Sequence, residues 1–230
     1  DRILELMQMA PALEAAPLRA ERRGSFRLAA AKDKAFCFYY RANLELLEAL
    51  GADIVEFSPI ADRDLPACDG LLLGGGYPEL YADALQENKS MREQIRAAIE
   101  SGLPAIAECG GFMYLCKDIA GKEMCGVFDT SVRNTGRLTR FGYAEIRPEK
   151  ESLLFGAGDA VKGHEFHYWD ADDPGDALLA EKPNGKSWRC GYVSDSLYAG
   201  YPHLYLPSCP ESAVRFADKC LEYQKRRTAR

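Results

Sequence analysis

At 230 residues with net charge −6, the chain has room for one large α/β domain or two small ones. It carries no basic stripe that would make nucleic acid its principal partner. An apolar fraction of 47% supports a proper core, yet no run approaches the ~18 apolar residues of a membrane span, and no signal peptide is visible. Eight cysteines are scattered without a CxxC pair, which excludes a thioredoxin motif or zinc ribbon and reads as reduced thiols in a cytoplasmic protein.

Residues 1–24 begin without Met and carry helix-forming residues interrupted by Pro11 and Pro17. They read as a linker from something upstream, with the domain proper at 25–230. A first strand is expected within Arg27–Tyr40, centred on Ala35–Tyr39, followed by a helix from Asn43 to Leu50 that stops at Gly51. Asp53–Phe57 and Gly70–Leu73 read as strands, the second running into Gly74-Gly75-Gly76-Tyr77-Pro78-Glu79. Ser90-Met-Arg-Glu93 has the form of a capping box opening a helix with Met91, Ile95, Ala98 and Ile99 on one face, ended by Gly102.

Pro104–Ala107 is a short apolar run closed by glycines, and Phe112–Leu115 begins a helical turn. Cys109 therefore sits where a strand turns sharply into a helix, between Ala107 and Gly111. That is the form of a nucleophile elbow, in which the helix N-terminus favours the thiolate. The plainer reading is a small buried hydrophobe. The alternation of strands and helices predicts a flavodoxin-like, doubly wound, mostly parallel sheet. Its loops at the strand C-terminal ends, after Leu73 and after Cys109, would build the site. The convergence of both glycine-rich loops there favours catalysis.

The second half is less regular. Strands are expected at Phe141–Arg147, Gly163–Tyr168, Arg189–Val193 and Leu197–Tyr201, with a turn at Lys182–Gly185. A last helix opens with the Ser208–Glu211 capping box and buries Ala213, Phe216, Ala217, Cys220 and Leu221. Asn184-Gly-Lys-Ser187 imitates the end of a phosphate-binding loop, but Ala180 replaces the required glycine, so it reads as a hairpin turn.

A cysteine nucleophile needs a base, and the histidines are His164, His167 and His203. In a strand, His164 and His167 point to opposite faces while Glu165 and His167 share one. Spacing alone does not choose among the three. The glycines at 74–76 are either a plain turn or a backbone whose N–H groups meet a developing oxyanion.

Five motifs then occur in register: Ala35–Tyr40, Leu72–Tyr81, Ala107–Gly111, Arg140–Tyr143 and Gly163–Tyr168. Over about residues 27 to 222 the chain resembles the C-terminal glutaminase domain of the cobyrinic acid a,c-diamide synthase family. The resemblance implies a class I glutamine amidotransferase fold with Cys109 as nucleophile. It favours His203, in Tyr201-Pro-His203, as the base. Gly75, Gly76 and Gly110 would line the oxyanion site, and Glu79 and His167 would serve substrate contacts. It further implies glutamine as substrate and no cofactor in this domain. ATP and Mg²⁺ would belong to an N-terminal synthetase domain, with a corrinoid as acceptor and homodimerisation possible. Cobyrinic acid, its hydrogeno analogue and nickel-sirohydrochlorin all serve look-alike enzymes.

Two departures from the family stand out. Pro202 precedes the histidine where the family has valine, so either the loop accommodates the ring or the base is displaced, leaving a docking module. No glutamate follows two residues after His203, so a Cys–His dyad or a carboxylate from elsewhere is required.

Overall fold

The computed structural model describes residues 2–11 and 20–229. In chain order it contains α1 (Arg2–Gln8), β1 (Phe26–Ala31), β2 (Phe36–Phe38), α2 (Arg41–Leu50), β3 (Ala52–Phe57), β4 (Gly70–Leu73) and β5 (Gly75–Gly76). After a 3₁₀ turn come α3 (Ala82–Glu87), α4 (Lys89–Glu100), β6 (Ala105–Glu108), α5 (Gly110–Leu115), β7 (Cys116–Ile119), β8 (Lys122–Glu123) and β9 (Phe128–Asn134). The rest is β10 (Arg140–Pro148), β11 (Val161–His167), β12 (Trp169–Ala171), β13 (Leu178–Glu181) and β14 (Ser187–Cys190). The chain then closes with β15 (Tyr192–Val193), β16 (Leu197–Gly200), β17 (His203–Leu204) and α6 (Pro210–Thr228). The expected linker falls partly on residues 1 and 12–19, Pro17 among them, which lie outside the described residues.

The central sheet has the order β15-β16-β6-β4-β1-β3, parallel except for the β15–β16 pair. Both its faces are covered. Leu28, Ala30, Leu72, Ile106 and Tyr198 pack against Leu46, Leu47 and Leu50 of α2 and against Phe216, Ala217 and Cys220 of α6. Ala29, Ala31, Leu71, Leu73, Ala105 and Ala107 pack on the other side against Met91, Ile95 and Ile99 of α4 and Phe112 of α5. Helices on both faces of a mostly parallel sheet are the doubly wound arrangement expected.

The first sheet strand is β1, ahead of the expected centre at Ala35–Tyr39. Its Ala29-Ala-Ala31 has little strand propensity, but small residues suit a strand squeezed between helices on both sides. The aromatic run that imitates a strand instead forms short β2, which pairs with the glycines of β5. Asp33 turns the chain between them, accepting from the Ala35 and Phe36 N–H groups.

Two helix starts also differ from expectation. Asn88 caps α4 by accepting from Met91 N–H, while Ser90 lies inside the first turn and accepts from Gln94. Pro210 opens α6, and the Ser208 hydroxyl donates to Tyr205 O instead of capping the helix.

The irregular second half builds a five-stranded sheet, β14-β13-β10-β11-β17, and a four-stranded one, β12-β9-β7-β8. The inner face of the five-stranded sheet, with Ala144, Ile146, Val161, Leu178 and Ala180, shares the core of α2 and α6. Lys182–Lys186 closes the β13–β14 hairpin, so Asn184–Ser187 is a turn, as read from sequence.

Candidate active site

Cys109 stands between β6 and α5 with φ 48° and ψ −102°, one of two non-glycine residues at positive φ among those described. This is the strained backbone of a nucleophile elbow. The bend is held because Cys109 N–H donates to Gly200 O on β16 and Cys109 O accepts from Met113 N–H of α5. Gly111 lets α5 start this tightly. A Cβ there would lie 2.1 Å from Leu73 O, so only glycine allows the helix to seat against β4.

Cys109 lines a cavity of about 250 Å³ with Cys37, Phe38, Gly76, Tyr77, His164, Phe166 and His203. That volume suits a small metabolite. His203, which the sequence reading expects as the base, is among the lining residues. It is buried and lines the same cavity as the Cys109 side chain. Its Nδ1 lies 3.5 Å from Glu108 Oε2, too loosely aimed for a hydrogen bond but close enough for an ion pair, and has no other partner. Burial opposes a charge on this ring. The polar contacts and opposite charges of Cys109 and Glu108 outweigh it, and the imidazole pKa is raised to about 10.

Glu108 also supplies the missing carboxylate of the sequence reading. Its other oxygen accepts from Leu204 N–H at 3.0 Å, which locks the carboxylate against the base segment. Sequence comparison with the usual triad looks for this acid after the histidine, whereas here it precedes the cysteine. The available signal was a charged residue ending an apolar buried strand.

Pro202 does not displace His203. Its carbonyl accepts from the buried Tyr198 hydroxyl at 2.7 Å. Asn43 grips the following residues, donating to Leu204 O at 2.7 Å and accepting from Leu206 N–H at 2.9 Å. The lost N–H of the proline is not needed where carbonyl and flanking contacts fix the segment.

The glycine loops meet at the same place. A Cβ on Gly75 would lie 2.3 Å from His203 Cε1, so a side chain there would evict the base. One on Gly110 would lie 3.1 Å from the Gly76 nitrogen, so these two backbones face each other beside the thiol. Tyr39 buttresses the loop, accepting from Gly74 N–H at 3.0 Å while its hydroxyl donates to Ala31 O.

Two expected substrate contacts sit elsewhere. His203 pairs with His164 across β17 and β11, so these two share a face, and strand alternation sends Glu165 and His167 to the other. His167 is buried there, stacked on Tyr201 at 3.9 Å, with Nε2 3.1 Å from Glu165 Oε2 and Nδ1 2.7 Å from Trp169 O. It does not line the cavity, and His164 takes that position. Glu79 is half-buried in the 3₁₀ turn after the glycines, outside the cavity lining, and burial raises its carboxyl pKa.

An elbow cysteine, a buried carboxylate–histidine pair and a glycine-lined pocket form a set for thiol-mediated acyl transfer. Residues 27–209 match the CobB/CobQ-like glutamine amidotransferase domain. The chain belongs to that family. It is 40% identical over 209 residues to the cobyrinate a,c-diamide synthase of Caldanaerobacter subterraneus subsp. tengcongensis, covering 87% of this chain and 46% of the relative. The corresponding enzyme of Picrophilus torridus is 43% identical over 199 residues, covering 84% and 43%. This glutamine amidotransferase domain thus spans a little under half the length of these curated relatives.

Among solved structures, PurLQS from Thermotoga maritima superposes with a TM-score of 0.60 at 18% identity, covering 86% of this chain and 98% of that one. A solved glutamine amidotransferase gives 0.58 at 18% identity, covering 84% and 98%. At such identities the likeness speaks for the fold. Among the described residues, no helix of the domain is long and apolar enough to cross a membrane.

Proposed function

We propose that this domain is the glutaminase half of a cobyrinate a,c-diamide synthase. It would release ammonia from glutamine for ATP-dependent amidation of the a and c carboxylates of a corrinoid. The observation that carries the chemistry is Cys109 on its strained elbow, sharing one cavity with a buried His203 whose ring stands beside the Glu108 carboxylate. The identity to synthases of that name supports the choice of corrinoid.

Glutamine enters the cavity with its side-chain amide at the sulfur. The Cys109 sulfur attacks the amide carbon, and the backbone N–H groups of Gly76 and Gly110 face the developing oxyanion, each donor contributing ~3 kcal/mol. The imidazolium of His203 gives its proton to the leaving nitrogen, which departs as ammonia when the C–N bond breaks. The ring, now neutral, takes a proton from water as that water attacks the thioester, the C–S bond breaks, and glutamate leaves with the thiolate and the imidazolium restored. Glu108 stabilises the charged ring at each return. ATP and Mg²⁺ belong to the synthetase half, where they activate the corrinoid carboxylates.

Cys109→Ala in the joined protein is expected to abolish glutamine-dependent amidation and leave ammonia-dependent amidation intact. Residual glutamate release by that variant would remove Cys109 from the mechanism.

A further inference from the structure

The outer face of the five-stranded sheet is aromatic where a solvated face is expected to be polar. Phe141 and Tyr143 of β10 stand opposite Phe166 and His164 of β11, and cross-strand partners share a face. Tyr143 is 76% exposed and Phe141 57%, with Phe166 and Tyr168 about half exposed beside them. The rings touch one another: Phe141–Phe166 at 5.7 Å, Phe166–Tyr168 at 5.8 Å and Tyr143–His164 at 5.1 Å.

The same face continues to the catalytic base. His164 pairs with His203, and the Phe38 ring lies 4.6 Å from the His203 ring and 5.4 Å from Tyr40, which in turn meets Tyr205 at 5.8 Å. One aromatic surface therefore runs from Tyr143 to Tyr205 around the mouth of the cavity that holds Cys109. The core does not need these rings, because the opposite face of β10 and β11 is filled by Ala144, Ile146 and Val161. Charged Lys162 and the Glu145–Arg147 pair border the patch. An apolar centre with a polar rim is the anatomy of an interface.

Chemistry and length select the occupant. Ammonia set free into water at neutral pH is captured as ammonium, which is no nucleophile, so the acceptor must cover the mouth from which it leaves. The cobyrinate a,c-diamide synthases this chain resembles are about twice as long as the part it matches. We propose that the aromatic face Phe141–Tyr143–Phe166–Tyr168 is the docking surface for the ATP-dependent synthetase half, which seats over the cavity mouth. The proposal rests on the reading of the chain as a glutaminase half. The docked half shields Phe38, Tyr77 and Phe166 from water and receives ammonia directly.

The test uses the full-length synthase with a photoreactive benzoylphenylalanine at position 143, and at position 222 on the exposed side of α6 as control. The expected result is cross-linking from position 143 to peptides of the synthetase half within one chain, with none from position 222. In the same protein, Tyr143→Ser combined with Phe141→Ser is expected to lower glutamine-driven amidation about tenfold or more while ammonia-driven amidation persists. Cross-links confined to a second copy of the chain, or undiminished glutamine-driven amidation, would overturn the proposal. Failure to amidate a corrinoid with either nitrogen source would instead strike at the assigned substrate, since the cross-link reads docking alone.

Discussion

At the scale of single residues, the candidate site depends on where one carboxylate sits. Glu108 is buried, touches both the base and the backbone that follows it, and precedes the nucleophile by one position. Glu108→Gln keeps the shape and the acceptor for Leu204 but removes the charge facing His203. Glutamine hydrolysis is expected to slow about tenfold or more, a barrier increase of ~1.4 kcal/mol. The alkaline limb of its pH–rate profile is expected to move to lower pH, because the imidazolium loses a stabilising anion. A steady-state pH profile of ammonia release checks both, and an unmoved alkaline limb would reduce Glu108 to a packing role. The cysteine and the histidine were legible from the motifs that contain them. Glu108 was not, because adjacency in sequence to a nucleophile does not say which way a strand-end side chain turns. His167 was misplaced and His164 passed over for a related reason. Alternation separates the two, but only the pairing with β17 decides which face the site uses.

At the scale of elements, the elbow works because a strand, a helix and a glycine loop approach within backbone contact. Gly111→Ala would set a methyl 2.1 Å from Leu73 O, a rigid neighbour in the centre of the sheet. The variant is expected to lose about 3 kcal/mol of stability, as an overpacked core position does, measured as a lower midpoint of denaturant unfolding. Boundaries were most legible where a strand is apolar throughout, as in Gly70–Leu73, whose predicted ends match β4. They failed where the local signal and the tertiary need diverged. Alanines serve β1 because helices press on both sides, and of the more strand-like aromatics nearby Phe38 serves the cavity wall while Phe36 joins the core. Strands β7, β8, β9, β12 and β13 were not anticipated, since short partly polar segments gain their order from partners distant in sequence.

At the scale of the whole molecule, burial couples the site's charge to folding. The His203 pKa is about 10 in the folded chain, against 6.5 for an ordinary histidine. Its proton therefore stabilises the folded state fully below about pH 6.5, and that contribution fades as pH rises through about 10. Cys109 and Glu108 favour this proton against the cost of burying it. Comparing unfolding of the native chain with His203→Asn across this range is expected to show a stability difference that shrinks toward alkaline pH. A difference independent of pH would mean that the ring is neutral when buried.

Cys109 directly follows a strand of the mostly parallel sheet, and His203 begins a strand of the antiparallel one. Only Tyr201 and Pro202 lie between the last residue of β16 and His203. The distance between the two side chains is thus a measure of how the two sheets lie against each other, joined by a two-residue connection that contains a proline. Loosening the packing between the sheets would silence the chemistry before it unfolded the chain, so catalytic turnover serves as the most sensitive gauge of their alignment.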